Sequence, residues 1–176
     1  MAREVHQRSN VEKAADIIRD AGGTVVGRTR LQKIAYFLEI SGLGDGFAFE
    51  YRYYGPYSED LATAIRNAAL LGVLKEKEKH TSWGGFYSIF TADAESGHKA
   101  PKARQKLVQM AANADPIELE LAATAAFLSL EGKPDPWSET KKRKSEKAEA
   151  GRLEKARSLY EALCQIKTPV SLPQTP

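Results

Sequence analysis

The chain contains 176 residues, 42% of them hydrophobic and 28% charged, and this size and composition predict one globular domain. The 13 basic and 13 acidic residues of the first 100 cancel, so the net charge of +3 arises in the rest of the chain. That balance argues against a protein whose main task is to neutralise nucleic-acid phosphates. One cysteine excludes an intrachain disulfide and a cysteine-rich zinc site. No apolar run reaches the length of a membrane span, and the first ten residues lack the apolar core of a signal peptide, so we expect a cytoplasmic protein with no membrane partner.

Hydrophobic periodicity predicts two helices at the start of the chain. Asn10 is placed to cap the first, and the glycine pair at 22–23 ends it. The second begins at a capping-box pattern, in which Thr29 accepts a hydrogen bond from a first-turn amide and Gln32 reaches back to the cap. Three residues share the face that we expect to be buried in the second helix: Leu31, Ile34 and Leu38.

A period of two over residues 47–54 predicts a half-buried strand. By parity, the side chains expected in the core are Phe47, Phe49, Tyr51 and Tyr53. Arg52 and Tyr54 fall on the opposite face. Gly55 and Pro56 end the strand and set the shape of the corner that follows.

A third helix, a hairpin and further helices follow the corner. Ser58 caps the third helix, and Gly72 is placed to end it in the left-handed conformation. Strand-like runs at 73–79 and 86–91 then form a hairpin. Helices followed by a hairpin at this spacing are the layout of a winged helix. We therefore expect an α+β fold, mainly α, with a winged-helix-like core and additional C-terminal helices.

The remainder of the chain reads as helical up to a proline-containing tail. Three helices are predicted here. The first covers 101–114, the second begins after a cap at Asp115, and the third is one long helix over 139–165. Residues 119–130 are apolar almost all round, which places that helix at the centre of the core or under a partner.

The residues that could carry chemistry form no catalytic set. His6, His80 and His98 lack a second ligand at metal spacing and read as surface histidines, and Cys164 lies on the apolar side of the last helix as a small core residue. No glycine-rich phosphate loop or nucleophile motif is present. We expect a non-enzymatic protein with no cofactor and no metal.

Nucleic-acid binding is weakly indicated. Lys75, Lys77 and Lys79 would share one face of a strand, but Glu76 and Glu78 alternate with them, and lysines also protect edge strands against pairing. The helix that would read the groove, 58–71, begins with acidic residues and offers Arg66 and Asn67 for base contacts.

The aromatic corner is the strongest candidate for a binding surface. Exposed tyrosine and arginine side chains are enriched at protein interfaces, which favours Tyr54, Tyr57 and Arg52 as contacts. The alternative is that the tyrosines lie flat on the fold and only fix the corner.

Three stretches in this order resemble the Panacea domain, the SocA-like antitoxin family. They are Arg28-Thr29-Arg30-Leu31-Gln32-Lys33-Ile34-Ala35-Tyr36-Phe37, then Tyr54-Gly55-Pro56-Tyr57-Ser58, then Leu70-Leu71-Gly72-Val73-Leu74. The family pattern is a KLQKLLYF helix, a YGP corner and a helix that ends in L-G-L; Arg30 and Ile34 stand where the family often has lysine and leucine.

The resemblance implies a cytosolic bacterial or phage protein that binds and neutralises a protein toxin encoded nearby. The resemblance covers about residues 10–165, and we expect one such domain over residues 1–167; the three prolines of residues 168–176 predict a flexible tail. The residues that we expect to face the partner are Arg30, Gln32, Lys33, Tyr36, Arg52, Tyr54 and Tyr57, with Gln32 also a candidate for capping. The residues expected to shape the motif are Leu31, Ile34, Leu38, Gly55, Pro56 and Gly72. Two alternatives stay open: a winged-helix DNA-binding transcriptional regulator, and self-association through the apolar helix at 119–130.

Overall fold

A computed structural model describes residues 8–176, so His6 lies outside the described residues. Seven helices and five strands are present in this part of the chain. In chain order they are α1 (Asn10–Asp20), β1 (Thr24–Val26), α2 (Arg28–Ile40), β2 (Glu50–Arg52), β3 (Gly55–Tyr57), α3 (Glu59–Leu70), β4 (Lys75–His80), β5 (Phe86–Thr91), α4 (Lys102–Asn113), α5 (Pro116–Leu130), α6 (Pro136–Arg143) and α7 (Arg152–Cys164).

The element order confirms the predicted α+β, mainly α fold. Strands β1, β5 and β4 form a three-stranded antiparallel sheet in that order, and the first three helices precede the β4–β5 hairpin. Helix, strand, two helices and a hairpin, with the first strand paired to the last, is the layout of a winged helix. The sequence pattern missed β1 because three residues are too short to show a period.

The helix ends are partly those predicted. Ser58 accepts a hydrogen bond from the Leu61 amide at 3.2 Å and caps α3, and Asp115 caps α5. Two predictions are wrong. Ser9, not Asn10, caps α1, and α2 begins after Gly27 with no side-chain cap. The capping box does not form because the Gln32 side chain bonds elsewhere.

Helix α5 is the centre of the core, which is one of the two places predicted for it. It packs against α2, α6, α7 and β3, and all its residues from 119 to 126 are buried. Because this apolar surface is covered by the chain's own elements, the hypothesis of self-association through α5 loses its basis.

The predicted long helix over 139–165 is wrong, since it is broken between α6 and α7. Lys144 leaves the helical conformation with φ −130°, and Ala150 and Gly151 both have positive φ. The physical reason is that the Lys144 side chain is pulled inward to Glu120, 2.8 Å away. The prediction that Cys164 is a small core residue is also wrong, because this side chain is exposed at the end of α7.

The C-terminal residues, predicted as a flexible tail, pack against the helices. Leu172 is 5% exposed and belongs to the core. The amide of Val170 donates to the Ser41 carbonyl at 3.0 Å, and Ser129 Oγ donates to the Gln174 carbonyl at 2.7 Å. The segment therefore lies as an extended strap held by both its side chains and its backbone.

The buried face of α2 is the one that periodicity predicts. Leu31 and Ile34 are fully buried and Leu38 is 1% exposed. We expect Leu31→Ala to lower the free energy of unfolding by about 2–5 kcal/mol, because the truncation leaves a cavity in a packed core. Urea denaturation measures the loss, with the exposed Thr63→Ala as a control expected to change stability by no more than about 0.5 kcal/mol. A loss well below 1 kcal/mol for Leu31→Ala would contradict this packing.

Candidate functional site: a tyrosine hairpin locked from below

The corner is a small hairpin, which we call the YGP hairpin (residues 50–57). Strands β2 and β3 pair Glu50 with Tyr57 and Arg52 with Gly55, which leaves Tyr53 and Tyr54 as its turn. Gly55 has φ +82°, and a Cβ built on it would lie 2.8 Å from the Thr124 Oγ1 of α5. The position therefore requires glycine for two reasons: its conformation and its close approach to α5.

Three buried side chains form hydrogen bonds with the backbone of the hairpin and of Ser58, the residue that follows it. Gln32 forms a paired contact with Ser58, accepting from its amide at 2.8 Å and donating to its carbonyl at 2.9 Å. Lys33 Nζ donates to the Pro56 carbonyl at 2.6 Å. Lys144 Nζ donates to the Tyr53 carbonyl at 2.9 Å. The motif on α2 is thus complementary to the backbone of the motif that follows it.

A buried charge cluster supports these contacts. Glu120 on α5 is 3% exposed and pairs with Lys144 and Lys147, each at 2.8 Å. Burial lowers the pKa of Lys33 from 10.5 to about 7; Glu120 opposes the shift, and Lys144 and Lys147 add to it. The amine of Lys33 therefore titrates close to neutral pH while it holds the hairpin.

The pKa of Lys33 predicts that stability rises with pH. Between about pH 7 and 10.5 the folded protein holds fewer protons at Lys33 than the unfolded chain, so deprotonation favours the fold across that window. Between about pH 7.5 and 9 we expect the wild type to gain about 2 kcal/mol relative to Lys33→Met. Urea denaturation of both proteins at the two pH values measures the difference. Parallel pH profiles would show that Lys33 is not the titrating group.

Above the locked backbone, two tyrosine rings project into solvent. Tyr53 is 83% exposed and Tyr54 is 52% exposed, and their rings meet edge to face at 4.8 Å. Lys147 Nζ lies 4.6 Å from the centre of the Tyr54 ring, and the Arg52 guanidinium lies 4.5 Å from that of Tyr57. We call the two exposed rings the Tyr53–Tyr54 ridge.

A cleft lies on each side of the ridge. The first, of about 310 Å³, runs between α2, α3 and the sheet, with Tyr54 and Tyr57 on one wall and Ile65 and Phe90 among its apolar lining. The second, of about 570 Å³, lies between the hairpin turn and the segment that joins α6 to α7. Its basic lining residues are Arg52, Arg143, Lys144 and Lys147, with Glu146 as the acidic one. The ridge and the two clefts give this face an uneven surface, into which a partner's side chains could insert.

The structure divides the predicted partner-facing residues into two groups. Arg52 and Tyr54 are exposed and Tyr57 is partly exposed, as the prediction requires. Three others are buried, which corrects the prediction of exposed side chains: Gln32 at 5%, Tyr36 at 3% and Lys33 at 1% exposed. Of these, Gln32 and Lys33 line the first cleft. Their positions follow from their partners: the two polar residues bond the hairpin, and the Tyr36 ring packs edge-on against Phe49 at 5.3 Å.

Arg30 is half-buried and has a structural role. Its guanidinium donates to the Val26 carbonyl at 2.6 Å and to the Ala114 carbonyl at 3.0 Å, which joins β1 to the end of α4. Burial lowers its pKa. The residues predicted to shape the motif are placed as expected, with Gly55 and Pro56 buried in the hairpin and Gly72 at φ +72° after α3.

Sequence reasoning missed Tyr53 and the two cations beside the ridge. Strand parity placed Tyr53 in the core, but the strand ends at Arg52 and Tyr53 belongs to the turn. The Arg143 guanidinium lies 5.1 Å from the centre of the Tyr51 ring, and Lys147 covers Tyr54. The density of tyrosines around Gly55 was the available signal for Tyr53; the cations come from a segment about 90 residues away in sequence.

A second ionic cluster joins α1, α4 and the loop that follows α2. Arg104 is 3% exposed and donates to Asp20 at 2.6 Å and to Asp45 at 2.9 Å. His98, predicted as a surface histidine, is instead bonded to Asp16 at 2.6 Å. Burial alone would raise the pKa of Asp16, but hydrogen bonds from Arg19, His98 and Arg8 hold it below its ordinary value. Each carboxylate of the cluster is already paired, so we interpret the cluster as structural.

No three His, Cys, Asp or Glu side chains within residues 8–176 are grouped so that they could hold a metal ion. None of the helices in this part of the chain has the length and apolar character needed to cross a membrane.

Part of the chain is similar in sequence to a known protein. The chain is 34% identical over 76 residues to an uncharacterized protein, YwgA, of Bacillus subtilis (strain 168). The match covers 43% of this chain and 44% of YwgA, so the chain spans less than half the length of that relative. No protein-family model and no solved structure matches the chain. The fold and the hairpin define an α+β protein of winged-helix layout with an exposed aromatic ridge, and the likeness to the Panacea domain stays a prediction that rests on its motif residues.

Proposed function

We propose that this protein is a non-enzymatic, antitoxin-type protein of the cytoplasm, which binds and neutralises a protein toxin encoded nearby. The observation that carries the proposal is the Tyr53–Tyr54 ridge, two exposed rings on a backbone that Lys33 and Lys144 fix from below. The motif resemblance gives the partner its class. Such a protein needs no chemistry of its own, because neutralisation by covering the toxin, or by delivering it for degradation, requires only a binding surface.

The locked hairpin favours binding because the cost of ordering it is met when the protein folds. Association loses affinity to the immobilisation of flexible side chains and loops, and a surface that is already fixed avoids part of that loss. Tyrosine is among the residues that dominate interface energies, since its ring buries a large area with few rotatable bonds. A stable interface of standard size covers about 800 Å² on each partner, which the ridge and its two clefts would anchor at the centre.

The charged residues of the second cleft indicate which groups the partner's surface should carry. The cleft beside Tyr53 is lined by Arg52, Arg143, Lys144 and Lys147. Lys144 is already paired with Glu120, and Arg52 with Glu50 and Glu59. Arg143 pairs with Glu139 and Lys147 with Glu120, each at 2.8 Å, and these two cations keep 34% and 31% of their side-chain surface exposed at the edge of the cleft. Since all four cations already have carboxylate partners, we expect the toxin surface to offer apolar pockets for the two rings, and its acidic groups near Arg143 and Lys147 to contribute to orientation and association rate more than to affinity.

Co-expression tests the proposal directly. The product of the adjacent gene is expressed in bacteria with and without this protein, growth is scored, and the tagged protein is recovered by pull-down. We expect growth inhibition by the neighbour alone, rescue on co-expression and a co-purifying complex. Growth inhibition without rescue, together with no complex, would contradict the proposal.

A regulator that binds duplex DNA is the second candidate, favoured by the winged-helix order of the elements. Against it, α3 begins with Glu59 and Asp60, which would repel phosphates at the helix end that enters the groove. A mobility shift with the protein's own upstream DNA tests it. Binding whose affinity falls steeply between low and moderate salt would support this candidate, and no shift at low salt would dismiss it.

A further inference from the structure

The face of the three-stranded sheet that is turned away from the core carries a row of lysines. In the β4–β5 ladder, Lys75 is opposite Thr91, Lys77 is opposite Ile89 and Lys79 is opposite Tyr87. Directly paired residues project from the same face of a sheet, and side chains two apart along a strand do the same. The three lysines, all exposed, therefore stand side by side on the outer face. We call them the lysine row.

The glutamates that alternate with the lysine row project from the other face. Glu76 is opposite Phe90, which is fully buried, and Glu78 is opposite Ser88, which is 4% exposed. Arg28 pairs with Glu76 at 2.6 Å and with Glu78 at 3.7 Å. Within residues 8–176, no carboxylate lies within ion-pair distance of the lysine row. The sequence alternates in charge, but the folded sheet separates the two signs.

The same hairpin exposes aromatic rings. Trp83, in the turn between β4 and β5, is 82% exposed, and Phe86, at the start of β5, is 63% exposed. Tyr87, 37% exposed, lies on the outer face opposite Lys79. Phe86 is opposite His80 and projects from the other face, so Trp83 and Tyr87 are the rings that adjoin the lysine row along the hairpin. Large aromatic side chains left exposed in this way mark interaction sites.

We propose that the lysine row, with Trp83 and Tyr87, binds single-stranded nucleic acid. Lysines that follow a strand can neutralise successive phosphates, and exposed rings provide the stacking platforms that unpaired bases use. A single strand is favoured over a duplex because its bases are free to stack on these rings and because the acidic first turn of α3 opposes entry into a groove. This surface belongs to the β4–β5 hairpin and does not depend on the toxin-binding role proposed for the YGP hairpin.

The test is fluorescence anisotropy of the full-length protein with a labelled single-stranded oligonucleotide of about 20 nucleotides, longer than the sites of typical single-strand-binding folds. With three phosphate contacts, we expect the affinity to fall about 20-fold between 50 and 200 mM salt, since the slope is about 0.7 per contact on single strands. The triple variant Lys75→Glu, Lys77→Glu and Lys79→Glu should lose most of this salt dependence and the binding with it.

Two further variants identify the source of the affinity. The first tests the contribution of base stacking, and the second tests whether the position of the lysines matters or only the net charge of the protein. Trp83→Ala should weaken binding about five-fold or more while the salt slope is unchanged, because it removes a ring and no cation. The control variant Lys102→Glu, Lys106→Glu and Lys155→Glu makes the same change in net charge at exposed positions on α4 and α7, and should keep the salt slope of the wild type. Circular dichroism melts confirm that each variant folds.

Several results would overturn the proposal. One is that the wild type does not bind the oligonucleotide at 50 mM salt. Another is that the two triple variants lose the same amount of affinity, and a third is that the wild type binds a duplex of the same sequence more tightly. Equal binding to polyglutamate would show that the face takes acidic polypeptides, and stronger binding to vesicles of equal parts phosphatidylcholine and phosphatidylserine would assign it to a membrane surface. If the lysines only protect an edge strand, the wild type and the lysine-row variant will both fail to bind.

Discussion

The combined variant Tyr53→Ala and Tyr54→Ala is expected to weaken the proposed toxin complex by at least about 30-fold while leaving the protein folded. Each ring is largely outside the core, so its removal costs the fold little, whereas truncating a central aromatic anchor commonly costs about 2 kcal/mol or more of binding. The backbone contacts of Lys33, Lys144 and Gln32 persist, because they are made to carbonyl and amide groups. Isothermal titration with the purified partner measures the loss, and growth rescue reports it in cells.

A matched control keeps this experiment specific. Leu70 and Leu71 are 80% and 71% exposed at the opposite end of α3, about 18 Å along the helix from the hairpin. The combined variant Leu70→Ala and Leu71→Ala should bind the partner as the wild type does. A large fall in melting temperature for the tyrosine variant would show that the rings stabilise the fold, and unchanged affinity would remove the ridge from the interface.

Arg104→Met is expected to lower the free energy of unfolding by about 3–5 kcal/mol, one of the largest single losses that the molecule offers. Arg104 is 3% exposed and neutralises both Asp20 and Asp45. Removal of the guanidinium leaves the Asp20 carboxylate with only His98, 3.6 Å away, and the Asp45 carboxylate with only the partly exposed Arg8, in a site that largely excludes water. Burial alone would lower the pKa of Arg104, but the two aspartates outweigh it and raise the pKa, so the arginine stays charged.

Two comparisons identify the cause of that loss, each measured by urea denaturation. Arg66→Met, which removes an exposed arginine from α3, should change stability by no more than about 0.5 kcal/mol. Adding Asp20→Asn and Asp45→Asn to Arg104→Met should restore part of the stability, because the stranded charges are gone. If this triple variant is as unstable as Arg104→Met alone, the loss comes from packing rather than from charge.

The sequence predicted apolar positions well because their signal is local. The period of α2 placed Leu31, Ile34 and Leu38 in the core, and all three are there. Other local patterns predicted α3 with its cap and the β4–β5 hairpin, and gave the centre of the core as one of two places for α5. In each of these cases the pattern lies within the element that it describes.

Polar positions on α2 were predicted poorly because their partners are remote. Gln32 and Lys33 look like exposed residues in the first turns of a helix, and no local pattern shows that they bond Ser58 and Pro56, which follow 26 and 23 residues later. The lock between the two motifs therefore becomes visible only in the folded chain.

The hairpin turn and the break between α6 and α7 show how a regular pattern can be extended too far. A period of two continued through Tyr53, although the chain turns there, so the most exposed ring was assigned to the core. Helical propensity continued through Lys144, but its side chain reaches Glu120 and the Tyr53 carbonyl, and these tertiary contacts outweigh propensity. Both errors concealed the same surface.

Site-specific photo-crosslinking at position 53 tests most directly whether the ridge binds the proposed toxin. Tyr53 is replaced by the photoreactive analogue p-benzoylphenylalanine in cells that also express the product of the adjacent gene, and Leu71 is replaced in a parallel strain as a control. We predict a covalent complex with the neighbour's product from position 53 and none from position 71. A crosslink from position 71 alone, or none from position 53 in cells whose growth is rescued, would contradict the assignment of the Tyr53–Tyr54 ridge as the toxin-binding surface.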